Sequence, residues 1–321
     1  DDKSDKAAAR KFYERLVTVD KVDVLIGPYS SPITVGASAV AEKHKVPFVC
    51  VEANATVIYK RGFKWIVGVL ASGELWSDHY FDLLKSEGKA KSIGFVTEDH
   101  LHALDVYRGA IRKAKAVGLK VLVDKQRVPS KTTDFTPIIT EIKAKDPDIV
   151  YISSFIPFGI AFMKQAKELD LNPREFHVIH HGGGFMKALG KDANYVTGED
   201  YPAGAGVKFG DLKFFEELLK RTNTSTQAYP WTAIRVPAMN IIVDALKRAG
   251  SLDKAKIMKA LKETELETVG GLIRFAANGS GTMNALPTQI QGEKRVLIAP
   301  RKPGYPVKAH LYPTPPWRER K

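Results

Sequence analysis

Cys50 is the single cysteine in 321 residues, which excludes an intrachain disulfide and any metal site built on cysteines. No apolar run approaches the ~20 residues that a membrane-crossing helix needs. Nucleotide-loop patterns are missing as well: HHGGGF, residues 180–185, is glycine-rich and follows a candidate strand, but it fits neither G-x-x-x-x-G-K-[ST] nor G-x-G-x-x-G. No G-x-S-x-G elbow surrounds a serine, and Cys50 lies in an apolar run where an inert, buried thiol is expected. With no catalytic constellation and no cofactor motif, the chain reads as a non-enzyme. Acidic residues are in deficit, 36 Asp+Glu against 49 Lys+Arg, for a formal net charge of +13. The lysines are spread along amphipathic helices and lack an aromatic-interleaved module, so the excess reads as solvated surface and no nucleic-acid partner is expected.

What is present is a soluble, globular balance, 44% hydrophobic and 26% charged, long enough for two cored domains. The chain opens with DDKSDKAAARKF, a helix start in which Ser4 or Asp5 can cap. Strand and helix patterns then alternate. VDVLIG (22–27) precedes a helical stretch at 32–44 and the strand VPFVCV (46–51). A second series runs helix 73–86, strand 92–97, helix 103–117, strand 119–126, helical pattern 133–145, strand 148–154, helix 160–169 and strand 176–181. Short apolar strands with intervening helices imply parallel sheets covered on both faces. GEDYPAGAGVKFG (198–210) lacks periodicity and suits a crossing between lobes; helices resume at 211–221, 231–250 and 253–263. In the tail, GLIRFAANGSG, RVLIAP and VKAHLY read as short strands.

Four stretches, DDKSDKAAARKFYERLVTVDKVDVLIGPYSS, FVTEDHLHALDVYRGAIRKAKAVGLKV, TTDFTPIITEIKAKDPDIVYIS and AYPWTAIRVPAMNIIVDALKRAG, together resemble a type I periplasmic solute-binding protein of the branched-chain amino acid and amide group. The resemblance covers nearly the whole chain. It implies an α/β fold of two doubly wound parallel-sheet lobes joined by a hinge, with lobe 1 from 1–71 and 205–275 and lobe 2 from 72–204 and 276–321. Family members carry a further strand and helix before the DDKSD motif, which this sequence does not contain. The implied function is an extracytoplasmic, periplasmic or extracellular, substrate-binding component of an ABC importer, membrane-associated through its permease, whose lobes close over a small carboxylate, amide or amino acid. A ligand-sensing domain related to amide-responsive regulators is the alternative.

GPYSSP (27–32) carries the first candidate site. A parallel strand ends there, at the edge where open α/β sheets take ligands, and a helix begins with free amide donors beside the Ser30 and Ser31 hydroxyls. Such donors suit a carboxylate or amide oxygen; Ser31 is equally placed to be a helix cap before Pro32. The resemblance puts Ala53 and Asn54 in the same pocket, although Asn54 stands where relatives often carry Ser or Thr and also suits a turn. It puts His102 where relatives present an aromatic ring. His100, His102, His180 and His181 all follow strand ends; their spacing and the lack of accompanying acids at 180–181 argue against a metal, and His102 and His181 are the candidates for ligand contact. Tyr29, Trp76, Phe155, Tyr229 and Trp231 supply possible ring walls, or core and hinge packing. Relatives that bind amino acids place an acid near residue 182 to meet the ammonium, and here Gly182 and its neighbours are uncharged. Glu98, Asp99 or Glu52 remain as substitutes, and a carboxylate or amide with an apolar or aromatic body is expected in preference to a zwitterion.

Overall fold

Alternating apolar runs and amphipathic segments produce alternating strands and helices in the computed structural model, which describes residues 1–320. In chain order the strands are β1 (Leu25–Ile26), β2 (Phe48–Cys50), β3 (Ile66–Leu70), β4 (Ser92–Glu98), β5 (Lys120–Val128), β6 (Ile149–Ser153) and β7 (Glu175–Val178). They continue as β8 (Thr197–Asp200), β9 (Glu265–Thr268), β10 (Gly271–Arg274), β11 (Ser280–Met283), β12 (Leu286–Gln291) and β13 (Lys294–Leu297). The helices are α1 (Lys6–Thr18), α2 (Ser31–His44), α3 (Thr56–Lys60), α4 (Asp78–Glu87), α5 (Leu101–Ala116) and α6 (Thr136–Lys145). After them come α7 (Ile156–Glu168), α8 (Gly183–Leu189), α9 (Leu212–Arg221), α10 (Thr232–Ala249) and α11 (Lys254–Lys262).

Two units divide the chain. Unit 1 holds Asp1–Gly73, Phe209–Leu219 and Trp231–Asn284; unit 2 holds Glu74–Lys208, Lys220–Pro230 and the chain from Ala285 onward.

Unit 1 is built on a parallel sheet of order β1-β2-β3-β11, with β9 and β10 forming a separate antiparallel pair. Asp5 is the cap of α1 and accepts from the Ala8 amide at 2.6 Å. Ala9, Tyr13 and Val17, spaced by four, are the buried stripe of that helix, as its period requires. Both α2 and α10 pack on β2 and β3.

Unit 2 has seven strands in the order β13-β12-β8-β7-β6-β4-β5, parallel except where β12 pairs with β8 and β13. Alternation divides its two buried faces. Val96, Val150, Ile152, Phe176 and Val178 join Phe135, Phe158 and Phe162 in one core, each such side chain contributing about 1.5–3 kcal/mol of burial. Phe95, Tyr151 and His177 point the other way and stack with Tyr80 and Phe81.

Several expectations are corrected. The helix expected at 73–86 is broken, with a 3-10 turn at Gly73–Leu75 and α4 starting at Asp78. VKAHLY forms no strand: the tail runs irregularly along unit 2, held by Gln289, whose side chain bonds both the N–H and the C=O of Leu311, and by the Trp317 indole on Leu171 O. Residues 276–284 belong to unit 1, not the second lobe, because β11 extends the sheet beside β3. Residues 205–208 and 220–230 belong to unit 2; Arg295 there donates to the carbonyls of Thr226 and Gln227.

Candidate functional site

In unit 1, β1 stops at Ile26 and α2 begins at Ser31, so GPYSSP spans the carboxyl edge of a parallel strand. Ser30 is the N-cap but makes no side-chain cap bond, while its carbonyl takes the amides of Ile33 and Thr34. Ser31 is buried, and its Oγ accepts from the Ala55 amide at 3.2 Å. That bond ties the start of α2 to the loop after β2 and leaves the hydroxyl proton of Ser31 available to another acceptor. Tyr29 stands edge-on to Trp231 with ring centroids 6.3 Å apart, so these two candidates meet within unit 1.

The other candidates in that loop have structural work. The carbonyl of Ala53 accepts from Tyr59 OH and Cys50 Sγ. Asn54 is buried, donates to Ala71 O at 3.1 Å and accepts at its own carbonyl from Gly73 N, so it fastens the loop to the end of β3. Cys50 is fully buried and desolvation pushes its thiol up to about 11, an inert group. Glu52 lies between them; its Oε1 accepts from Arg235 Nε at 2.6 Å. Burial raises its pKa, and the Arg235 hydrogen bond and charge offset this only in part.

In unit 2 the ends of β4, β6 and β7 bring together a cluster of rings. Trp76 lies 5.1 Å from His102, 5.7 Å from His180 and 5.8 Å from Tyr201 between centroids. Phe155 stacks on His100 at 3.8 Å and approaches His102 and His180 at 6.4 and 5.9 Å. The Nδ1–H of His180 donates to Ser154 O, and burial lowers its pKa to about 4. Burial, followed by the neighbouring His180 and His100, holds His102 well below its ordinary value. Both are therefore neutral at neutral pH and serve as polar-edged aromatic surface. Glu98 would be raised by burial, but His100, the Phe155 amide and Ser130 outweigh that and keep it ionised. Its Oε2 takes the Phe155 N–H at 2.7 Å and lies 3.3 Å from His100 Nε2. Glu98 is thus committed, and Asp99 pairs with Arg127 on the surface.

His181 does not join this cluster. Adjacent residues at a strand end face opposite ways, so with His180 turned to Trp76, His181 enters the sheet interior, fully buried and 2.9 Å from Thr288 Oγ1 of β12. Tyr229, expected to open α10 in the first lobe, lies in unit 2 and is exposed; the helix starts after Trp231. His180, Tyr201 and Arg235 were not among the candidate contacts, and Glu52 was named only as a possible partner for a ligand ammonium. For His180 the signal was its place past a strand end, shared with His181; for Arg235 it was the i+4 spacing from Trp231.

The glycine run also has a packing reason. A Cβ on Gly183 would come 2.4 Å from Ala228 O, and one on Gly182 3.1 Å from Pro230 Cγ. Segment 226–230 passes directly over these glycines, which are cleared for a backbone and not for a phosphate.

Residues 1–295 match the model of the family described as Periplasmic binding protein. The chain belongs to the periplasmic binding protein family. Among its relatives, the Leu/Ile/Val-binding protein homolog 8 of Brucella abortus (strain 2308) is 28% identical over 311 residues, covering 89% of this chain and 75% of that protein. A leucine binding protein, LivK, from Thermotoga maritima superposes with a TM-score of 0.82 at 20% identity, over 94% of this chain and 86% of the other. A solute binding protein of an ABC transporter from R. palustris, in complex with 4-hydroxybenzoate, superposes with a TM-score of 0.77 at 18% identity, over 91% and 81%. These neighbours establish the type I periplasmic binding protein fold for this chain. The family is one of solute-binding proteins, not enzymes.

Proposed function

We propose that this periplasmic binding protein is the extracytoplasmic ligand-binding component of an ABC importer, presented to a membrane permease, and that it takes a small carboxylate or amide with an apolar or aromatic body. The observation that carries the reading is the end of β1 running into α2, where Ser30 and Ser31 stand beside the Tyr29 and Trp231 rings. Hydroxyls and a helix N-terminus favour an anionic or carbonyl oxygen, and paired rings favour an apolar body at small entropic cost. Against a zwitterion stand the uncharged loop at 182–184, the commitment of Glu98 to His100 and Phe155, and the neutrality of His102 and His180. A desolvated ammonium without an opposite charge is costly. Relatives span both classes, one named for leucine and one holding 4-hydroxybenzoate.

A thermal-shift panel of aliphatic acids, aromatic acids, amides and branched-chain amino acids is the test, since stabilisation follows ligand concentration over Kd. Acids or amides are expected to raise the melting temperature more than leucine, isoleucine or valine. Selective stabilisation by the amino acids refutes the assignment of ligand class.

A further inference from the structure

Glu52 follows β2 by two residues, and its side chain is 3% exposed. Oε1 accepts from Arg235 Nε, but Oε2 is buried and accepts no hydrogen bond. A buried carboxylate oxygen left unpaired is expensive, more so than a neutral acceptor. Glu98, the last residue of β4 in unit 2, shows the ordinary solution, an amide at hydrogen-bond distance and an imidazole beside it. The surroundings of Glu52 are those already read as ligand-facing within unit 1. Ala55, three residues on, donates to Ser31 Oγ, and Arg235 is one helical turn beyond Trp231, whose ring meets Tyr29.

An ionised carboxylate is an acceptor only, so its unpaired oxygen calls for a donor. Arg235 already sets a full positive charge against the same carboxylate. A second cation there would meet that charge, whereas a neutral O–H or N–H would not. We propose that Glu52 Oε2 accepts a hydrogen bond from a neutral hydroxyl or amide N–H of the ligand, so that the preferred solute is a hydroxy acid or an amide and not a plain acid. The inference rests on reading the chain as a solute-binding protein for small acids and amides.

Calorimetric titration of the full chain with 4-methylpentanoate, 2-hydroxy-4-methylpentanoate and leucine, and with benzoate and 4-hydroxybenzoate, tests it. In whichever series binds, the hydroxylated acid is expected to bind about 10- to 100-fold tighter than the plain acid, as befits a hydrogen bond to a charged group. Glu52→Gln keeps an oxygen for Arg235 but turns an N–H toward the position of Oε2, and it is expected to abolish that preference. An unchanged melting temperature of the ligand-free variant shows that its fold is intact. Equal affinity of the plain and hydroxylated acids, or a preference that survives Glu52→Gln, overturns the inference and leaves the solute-binding reading standing. Leucine as the tightest ligand, with its advantage lost in Glu52→Gln, overturns the neutral-donor assignment. Binding of none of the five overturns both.

Discussion

His310 has a carboxylate on each ring nitrogen, Glu175 Oε2 at 2.5 Å from Nε2 and Glu87 Oε2 at 3.0 Å from Nδ1. Both nitrogens must therefore donate, which is the imidazolium form. Burial alone would lower its pKa, but the charges and hydrogen bonds of Glu175 and Glu87 raise it. For Glu175, burial would raise the pKa, and His310 together with Tyr80 lowers it. The pair's contribution is complete between the two unfolded values, about 4.5 and 6.5; it fades as pH rises through the raised value of His310 and as pH falls through the lowered value of Glu175. His102, His180 and His181 act in the opposite sense to His310. They are buried neutral, so the unfolded chain gains protons below about 6.5 that the folded chain refuses, and stability falls toward acid. Thermal stability is expected to peak close to pH 6.5. Replacing His310 by alanine leaves Glu175 buried without its cation, a loss of about 3–5 kcal/mol at pH 6 in urea denaturation, and flattens the decline above pH 6.5. An unaltered pH profile in the variant would show that this contact carries no such load. None of this was legible beforehand: the two residues stand 135 positions apart, and a histidine in an irregular tail carries no periodic signal.

Among the elements, α8 offers a controlled comparison. Gly183→Ala drives a methyl into Ala228 O, whereas the nearest atom to a Cβ on Gly184 is Ile156 Cγ2 at 3.8 Å, an ordinary contact. Gly183→Ala is expected to destabilise by more than about 2 kcal/mol, in the range of overpacking against backbone, and Gly184→Ala to be neutral or to stabilise by up to about 1 kcal/mol through helix propensity. Chemical denaturation of both decides; equal effects would remove segment 226–230 as the reason for the glycines. Elements whose local pattern agrees with their partners were readable, as in SIGFVT and DIVYISS, which became β4 and β6. Those settled by distant partners were not. TGED is a poor strand by propensity, but in β8 Glu199 is buried against His177 and Asp200 against Arg295. LPTQIQ carries two glutamines, and β12 accommodates them because the tail takes both, Gln289 donating to Leu311 O and Gln291 to Ala309 O. The short apolar run IVGVL became β3 only in company with β2 and the remote β11. At the candidate site, the sequence pattern placed the GPYSSP loop past the end of β1 and His102 past the end of β4, but could not say which of His180 and His181 turns inward.

At the scale of the molecule, each unit has its own sheet, and the chain passes from one to the other after Gly73, Lys208, Leu219, Pro230 and Asn284. The passage after Pro230 is anchored on both sides. Before it, Arg295 pairs with the buried Asp200 at 2.8 Å and donates to Thr226 O at 2.6 Å and Gln227 O at 3.0 Å; after it, Trp231 caps α10 of unit 1. A ligand shifts the populations of a protein's conformations only by the difference in its affinity for the alternative states. A solute that gains contacts in one state therefore selects that state. Small-angle scattering at saturating ligand is expected to give a smaller radius of gyration than the ligand-free protein, with a transition whose midpoint tracks Kd as ligand concentration is raised. Superimposable profiles with and without ligand, at a concentration where calorimetry shows the site filled, would mean that binding does not select a more compact form.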